Sequence, residues 1–292
     1  MYKKSIQLIA STIFALLAFA GNSVLCRLAL GQNIIDAASF TVIRLLSGII
    51  ILITLMTISQ KSGETHSKGN WLATSMLFLY AAAFSFGYIS LDTGTGALIL
   101  FGTVQITMII ASVMLGNRLY FSDWLGLFIA FSGFIYLVIP TLTTPSLTGV
   151  ILMAISGIAW GGYTLLGISS KNPLSDTTYN FLRTLPFVLV LLVFTFKGSN
   201  LTSEGILLAV LSGAIASGLG YFIWYVALRG LSVTQAAVVQ LFVPVIAAIG
   251  GVMFTSEQIT LRLVESSILV LGGVLIVILG KKYFSAIASK NI

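Results

Sequence analysis

Long apolar runs separated by short polar breaks make up almost the whole sequence. A membrane-spanning helix needs about 20 mostly apolar residues, and ten runs of roughly this length follow one another along the chain. Within these runs, apolar and polar residues do not alternate as they do in the strands of a membrane barrel. The pattern therefore predicts an all-α membrane protein with ten transmembrane helices. The predicted helices cover residues 6–29, 36–58, 71–91, 94–115, 122–140, 148–170, 177–196, 204–228, 232–255 and 261–280.

The composition excludes an ordinary soluble enzyme. Of the 292 residues, 58% are hydrophobic and 8% are charged, whereas a soluble domain has about 25% charged residues. So few charges would leave a soluble fold with large exposed apolar patches. The net charge of +7 forms no clustered basic face, so no nucleic-acid partner is expected. One cysteine, Cys26, and one histidine, His66, cannot build a zinc site, and no cofactor is predicted.

The distribution of Lys and Arg predicts the orientation, because short loops rich in these residues stay on the cytoplasmic side. With the N-terminus inside, ten of these residues fall inside and three outside. Both termini are therefore predicted to be cytoplasmic, in a multi-pass protein of the inner or plasma membrane. The inner residues are Lys3, Lys4, Lys61, Lys68, Arg118, Lys171, Arg229, Lys281, Lys282 and Lys290, and the outer ones are Arg27, Lys197 and Arg262.

The N-terminal run also has features of a secretory signal. Ala18-Phe19-Ala20 resembles a cleavage site, but the apolar pattern continues beyond Ala20. We therefore expect this run to remain as the first helix.

The two halves of the chain resemble each other at an offset of 139 to 140 residues. Ala97 corresponds to Ala237, and Arg44 in the second span corresponds to Arg183 in the seventh. Each half, 1–141 and 142–292, holds five predicted spans, and an odd number inverts the second half relative to the first. Inverted repeats are typical of secondary transporters, whose substrate sites lie near the midplane where the repeats meet.

With these features the chain resembles the drug/metabolite transporter superfamily, specifically the EamA-type ten-helix permeases, over about residues 6–282. The halves of that family typically carry an Arg early in helices 2 and 7, which Arg44 and Arg183 match. A Pro in the middle of helix 9, followed thirteen residues later by a Glu, is matched by Pro244 and Glu257. Ala159-Trp160-Gly161 in helix 6 is a further match.

The first half departs from the family pattern at two positions. Val104 stands where the Pro is expected in helix 4, and Asn117 stands where the Glu is expected. The resemblance implies efflux of small metabolites by alternating access, with amino acids as the first candidates. Efflux of cationic drugs or other organic solutes, and a receptor without transport, are alternatives. The expected partners are a small-molecule substrate and the lipid bilayer, and the chain is expected to be a monomer or a homodimer.

Two arginines within the predicted spans are candidate anion-binding groups. A charge in the bilayer is costly, and Arg44 lies eight residues from Asp36, roughly 12 Å along a helix. Arg44 and Arg183 could each bind a substrate carboxylate, or could be structural arginines near a helix end. Glu265 is the one carboxylate placed to take part in proton coupling, and an interfacial ion pair is its alternative role. Proton coupling is therefore not predicted over facilitation or exchange.

Polar and aromatic residues within the spans complete the predicted cavity. Pro244 lacks the N–H that would serve the carbonyl of Gln240, which predicts a broken helix with Gln240 available to a cavity. Tyr88 and Tyr225 lie near helix ends, so we expect them in an aromatic belt at the membrane interface. The predicted substrate-binding residues are Asn22, Arg44, Tyr80, Gln105, Trp160, Tyr163, Arg183, Tyr221, Trp224 and Gln240. No pairing of nucleophile and base is visible within the spans, so an enzyme is not predicted.

Overall fold

The computed structural model describes residues 2–59, 68–114, 121–138, 146–195, 200–231 and 233–288. Across these ranges the chain is helical, and the β pairing there is an isolated bridge between Ile35 and Leu201. The helices are α1 Tyr2–Gly31, α2 Ala37–Ser59, α3 Trp71–Gly87, α4 Thr93–Met114, α5 Phe121–Val138, α6 Leu147–Ile168, α7 Pro173–Leu182, α8 Leu185–Thr195, α9 Ser203–Leu211, the π-helical segment Ser212–Leu219, α10 Gly220–Leu228, α11 Val233–Gln240, α12 Phe242–Thr255 and α13 Leu261–Ala288.

Short polar residues begin several of these helices. The side chain of Asn70 accepts a hydrogen bond from the N–H of Leu72 at the start of α3. Asn172 caps α7 in the same way, and Pro173 follows it at the first helical position, where its missing N–H costs nothing. Because each cap satisfies a backbone donor that has no partner within the helix, the polar breaks in the sequence fix where the apolar helices begin.

The structure confirms the all-α membrane fold. Each of the ten predicted runs contains helix in the described residues, and six helical stretches there are long and apolar enough to cross a membrane. The count of ten spans and the inverted repeat remain predictions. The six stretches are Ser5–Gly31, Ala37–Ser59, Thr93–Ala111, Leu147–Ile168, Ser203–Leu228 and Gln235–Thr255; Trp71–Gly87 and Trp124–Gly133 are shorter apolar helices.

Two of the ten predicted runs are interrupted. The run over 177–196 breaks between α7 and α8, and the run over 232–255 breaks between α11 and α12. Each break lies just before a proline, Pro186 or Pro244, which cannot donate to the carbonyl four residues earlier. The second break leaves the helix at Gln240, where the sequence predicted it.

Two long helices occupy the centre of the packing. Helix α1 packs against α9, the π-helical segment, α10 and α12, while α6 packs against α3 and α4. Helix α2 lies along the π-helical segment, and α5 packs mainly on α13. The middle parts of α1, α2, α3, α6 and the π-helical segment with α10 therefore surround one buried region.

Candidate functional site

Arg44 lies at the centre of this buried region. It stands in the first third of α2, and its side chain is 1% exposed. Its Nε donates to Ser217 Oγ at 2.9 Å, and its Nη2 donates to the hydroxyl oxygens of Tyr221 at 2.7 Å and Tyr80 at 3.1 Å. Tyr80 lies near the middle of α3, which places the guanidinium about halfway between the ends of that helix. The arginine is therefore buried and bound by neutral hydroxyl groups.

A network of hydroxyl and amide groups holds these partners in place. The Tyr221 hydroxyl donates to the Tyr80 oxygen at 2.8 Å, and Asn22 Nδ2 donates to the same oxygen at 3.2 Å. Ser212 Oγ in turn donates to Asn22 Oδ1 at 2.6 Å. The network joins α1, α2, α3, the π-helical segment and α10, so a movement of one of these elements changes the surroundings of Arg44. We call Asn22, Arg44, Tyr80, Ser212, Ser217 and Tyr221 the Arg44 cluster.

The π-helical segment brings two serines of this cluster to one side. Residues five apart, such as Ser212 and Ser217, lie close to one face in a π-helix but well apart in an α-helix. Gly213 allows the segment to approach α2, because a Cβ there would collide with the carbonyl oxygen of Arg44 and the side chain of Ser47. Ser212 therefore reaches Asn22 on α1 and Ser217 reaches Arg44 on α2, while Ser217 Oγ also donates to the Tyr221 hydroxyl at 3.2 Å.

Aromatic rings enclose the Arg44 cluster on one side. The Phe19 ring centroid lies 5.1 Å from that of Trp160, 5.5 Å from that of Trp224 and 5.9 Å from that of Tyr221. Trp160 also lies 4.7 Å from Tyr221 and 4.8 Å from Tyr80. The guanidinium carbon of Arg44 lies 5.0 Å from the centre of the Phe84 ring, a distance at which cation–π attraction acts. The site therefore has one cationic group beside an apolar, aromatic wall.

Several buried polar atoms around the site have no hydrogen-bond partner among the described residues. They are Arg44 Nη1, Trp224 Nε1 and Gln105 Oε1. In the same ranges no carboxylate lies within ion-pair distance of Arg44. Unpaired buried donors are costly, and the arginine keeps the two N–H donors of Nη1 and its whole charge without a counterpart among the described residues. The arrangement can accept an anionic group that brings its own charge and acceptors.

The two glutamines lie beside this region and are held by specific bonds. Gln240 Oε1 accepts from Trp160 Nε1 at 3.0 Å, and its Nε2 donates to the carbonyl of Ala236. Gln105 Nε2 donates to the carbonyl of Ala237 at 2.7 Å. The broken end of α11 is therefore tied to α4 and α6 by side-chain bonds.

The structure does not bring every predicted residue into the Arg44 cluster. Arg183 is half-buried at the break between α7 and α8, with its guanidinium carbon 5.2 Å from the centre of the Trp71 ring. Glu265 accepts a hydrogen bond from the exposed Tyr136 hydroxyl at 2.6 Å, away from Arg44. The predicted interfacial belt is wrong for Tyr88 and Tyr225, which are 0% and 2% exposed because they pack inside the helix bundle.

An ion-pair network joins several helices at the end of the bundle where α3 ends. Glu257 accepts from Arg27 Nε at 3.1 Å, and its two oxygens accept from the backbone N–H of Thr93 at 3.0 and 2.9 Å. Arg27 Nη2 also pairs with Asp92 at 3.1 Å. Thr93 is the first residue of α4, so the carboxylate satisfies a free donor at a helix N-terminus. We call Arg27, Asp92, Thr93 and Glu257 the end network.

Comparison with known proteins gives the family. The EamA-like transporter family matches residues 147–279. The protein PA1977 of Pseudomonas aeruginosa is 46% identical over 267 residues, which cover 91% of this chain and 93% of that protein. The chain belongs to the EamA-like transporter family. An uncharacterized transporter of Archaeoglobus fulgidus is 26% identical to this EamA-like protein over 68% of the chain and 73% of its own length.

Further similarity extends over most of the EamA-like chain. The uncharacterized transporter YoaV of Bacillus subtilis is 19% identical over 84% of the chain and 88% of its own length. One solved crystal structure superposes with a TM-score of 0.67 and 13% identity, covering 92% of this chain and 98% of that one. The latter likeness concerns the fold. Together these similarities make the protein an integral, multi-pass membrane transporter.

Sequence reasoning missed two parts of this EamA-like site. Neither Ser212 nor Ser217 was among the predicted site residues, because a π-helical turn leaves no clear mark in a 3.6-residue pattern. The end network was missed because it joins residues more than 160 positions apart, such as Thr93 and Glu257. The one sequence signal for this network was Glu257 itself, which matches the family pattern thirteen residues after Pro244.

Proposed function

We propose that this EamA-like protein is a secondary transporter that exports small carboxylate-bearing metabolites, such as amino acids, across the cytoplasmic membrane. The observation that carries the proposal is Arg44, a buried guanidinium near the middle of the bundle with neutral partners and an unpaired NH2 group at Nη1. Gln105, Trp160, Trp224 and Gln240 supply the proposed wall and floor of the site.

Electrostatics favours an anionic ligand at Arg44. Estimates of the cost of an arginine at the bilayer centre range from about 2.5 to 17 kcal/mol, and hydroxyl groups reduce that cost without removing the charge. A carboxylate would supply both the opposite charge and two acceptors for the planar guanidinium. A cationic drug would instead add a like charge beside Arg44, so the site supports cationic substrates less well.

The aromatic residues support a substrate with an apolar part as well as a carboxylate. Trp160, Tyr221 and Trp224 offer apolar faces next to polar tips, and binding sites for small molecules typically combine such walls with a few polar groups. An amino acid with an apolar side chain has this combination. Asn22 and Tyr80 would then position Arg44 rather than contact the side chain of the substrate.

The direction of transport is proposed from the predicted orientation. The excess of Lys and Arg supports cytoplasmic termini, which puts the start of α3 on the cytoplasmic side and the end network on the outer side. A site between two groups of helices, closed at the outer end, supports alternating access with uptake from the cytoplasm.

The test is counterflow in proteoliposomes. Purified protein is reconstituted with a mixed amino-acid pool inside and labelled amino acids outside, with and without a pH gradient. We expect saturable uptake, and Arg44→Gln should lower kcat/KM at least about 30-fold, because removal of one partner from a buried charged pair costs about 2–5 kcal/mol. Arg44→Lys should recover part of the loss, since it keeps the charge without the planar fork.

Arg229→Gln is the matched control, because Arg229 is an exposed cation just after α10 and lies outside the Arg44 cluster. Retention of fold by Arg44→Gln is checked by gel filtration and circular dichroism. The proposal is overturned if no amino acid shows saturable uptake, or if a folded Arg44→Gln protein transports like the wild type.

A further inference from the structure

A cavity with charged and amide side chains in its lining lies at the end of the bundle opposite the end network. It lies between the start of α3, the end of α6, the start of α7 and α10, and its volume is about 460 Å³. That volume is within the range of small-molecule sites. We call this cavity the vestibule; six of its lining residues are Asn70, Lys171, Asn172, Asp176, Asn180 and Tyr225.

The inner wall of the vestibule lies one aromatic layer from the Arg44 cluster. Tyr225 stacks on Tyr163 with ring centroids 5.0 Å apart, and its hydroxyl donates to the Tyr163 carbonyl at 3.0 Å. The Tyr163 ring lies 6.5 Å from that of Tyr221, which binds Arg44 directly. A solute in the vestibule is therefore separated from Arg44 by the Tyr163–Tyr225 pair.

Opposite charges and amides line this cavity. Lys171 is exposed and Asp176 is half-buried, and Asp176 Oδ2 accepts from Ser170 Oγ at 2.5 Å. Asn180 Oδ1 accepts from the backbone N–H of Asn70 at 3.0 Å, which joins α7 to the start of α3. An ammonium and a carboxylate on one solute would each find an opposite charge here, whereas a singly charged solute would find only one.

The vestibule and the end network lie at opposite ends of α3. Helix α3 has 17 residues, a length of about 25 Å, and it runs from the vestibule at Asn70 to the end network beside Tyr88. The end network holds α1, α4 and the residues after α12 together with two ion pairs at one end of the bundle. The vestibule lies at the other end.

We propose that the vestibule is a first binding site for a zwitterionic solute, which passes from there between Tyr163 and Tyr225 to Arg44. Lys171 binds the carboxylate of the solute, and Asp176 binds its ammonium group. The inference rests on the proposed function, since it assigns a zwitterion to the transporter rather than a simple anion.

The experiment measures competition of labelled leucine counterflow by leucine, by its α-keto acid and by its decarboxylated amine. In wild type, leucine should compete best. Asp176→Asn should weaken competition by leucine and by the amine, and leave the α-keto acid unchanged; Lys171→Gln should weaken leucine and the α-keto acid. Because these groups are accessible to water, each change is about two- to fivefold, as for exposed ion pairs. Arg229→Gln is the control cation at the same end.

A second readout does not depend on transport. Cys26 is the single cysteine and is buried, so Cys26→Ser gives a cysteine-free background. Ser169→Cys then places a thiol at the exposed edge of the vestibule. A mixture of the proteinogenic L-amino acids without cysteine, which would itself consume the reagent, should slow maleimide labelling of this thiol, and Asp176→Asn should weaken the protection about two- to fivefold.

The outcomes separate the two proposals. If wild-type counterflow is saturable and depends on Arg44, but both vestibule variants compete like wild type, this inference is overturned and the proposed function stands. If counterflow is absent while amino acids still protect Ser169→Cys, the vestibule binds zwitterions and the transport proposal is overturned. Absence of both effects overturns both proposals.

Discussion

Glu257→Gln is expected to open the end of the bundle that the end network closes. The side chains of Glu257 and Arg27 are 14% and 21% exposed, so the pair is only partly screened by water. Glutamine keeps one acceptor for Thr93 but loses the charge and the second carboxylate oxygen. Arg27 retains its pair with Asp92, which is 53% exposed.

The magnitude follows from these contacts. A hydrogen bond to a charged group contributes about 1.5–3 kcal/mol net, while an exposed pair contributes less than about 1 kcal/mol. For a pair that is mostly buried, with one acceptor retained, we expect a loss of about 2 kcal/mol. Because about 1.4 kcal/mol is a factor of ten, the population open at this end should rise about 30-fold.

Cys26 reports this opening. It is 0% exposed and directly precedes Arg27 in α1, so a thiol reagent reaches it only when the packing around it opens. When opening and closing are fast relative to labelling, the labelling rate follows the open population. The maleimide reaction in proteoliposomes should therefore accelerate by up to about 30-fold in Glu257→Gln. Glu204→Gln is the control, since Glu204 is an exposed carboxylate in the first turn of α9.

A general loosening of the bundle would also expose Cys26, and a second thiol distinguishes the two cases. With Ser169→Cys in a Cys26→Ser background, alternating access requires labelling at the vestibule to slow in Glu257→Gln, because opening one end closes the other. Faster labelling at both ends would mean that Glu257 stabilises the whole fold. Unchanged labelling of Cys26 would refute the reasoning that the end network holds this end closed.

Two further predictions concern Arg183 and Gly213, whose surroundings in the structure could not be predicted from the sequence. Arg183→Gln should change kcat/KM for amino-acid counterflow less than about twofold. The guanidinium of Arg183 stacks on a tryptophan at the half-buried break, so it contributes at most an exposed cation–π contact. A loss as large as that of Arg44→Gln would contradict the structure. Gly213→Ala should lower the free energy of unfolding by about 1–3 kcal/mol through overpacking against α2, which is measured as a lower thermal midpoint in nanodiscs. Gly21→Ala, with open space around its Cβ position, should change the midpoint far less. Equal midpoints for the two variants would refute the close approach of Gly213 to α2.

Several parts of the site were predictable because polar groups in apolar helices are costly. Arg44 was selected on this ground, Asn22, Tyr80 and Tyr221 were selected as polar or aromatic residues within the spans, and the structure brings all four into one hydrogen-bonded cluster. The rule selects residues without giving their partners. It therefore identified Arg44 as a candidate but did not show that neutral hydroxyl groups would surround it.

Other features depend on packing that a local pattern does not encode. Ser217 reaches Arg44 through a π-helical turn, and a 3.6-residue pattern does not reveal such a turn. Tyr225 lies near a helix end, which predicts an interfacial ring, yet tertiary packing against Tyr163 buries it. In both cases the decisive neighbour lies on another helix.

The different fates of the two arginines have a physical cause in their helices. The predicted repeat pairs Arg44 with Arg183, and an ideal repeat would bury both. Helix α2 continues past Arg44 for more than three turns, so the side chain stays among the helices. Pro186 ends the hydrogen bonding that would carry α7 past Leu182, and Arg183 at this break reaches the exposed Trp71 instead. A single proline thus leaves one buried cation near the middle of the bundle, and one carboxylate is enough to neutralise it.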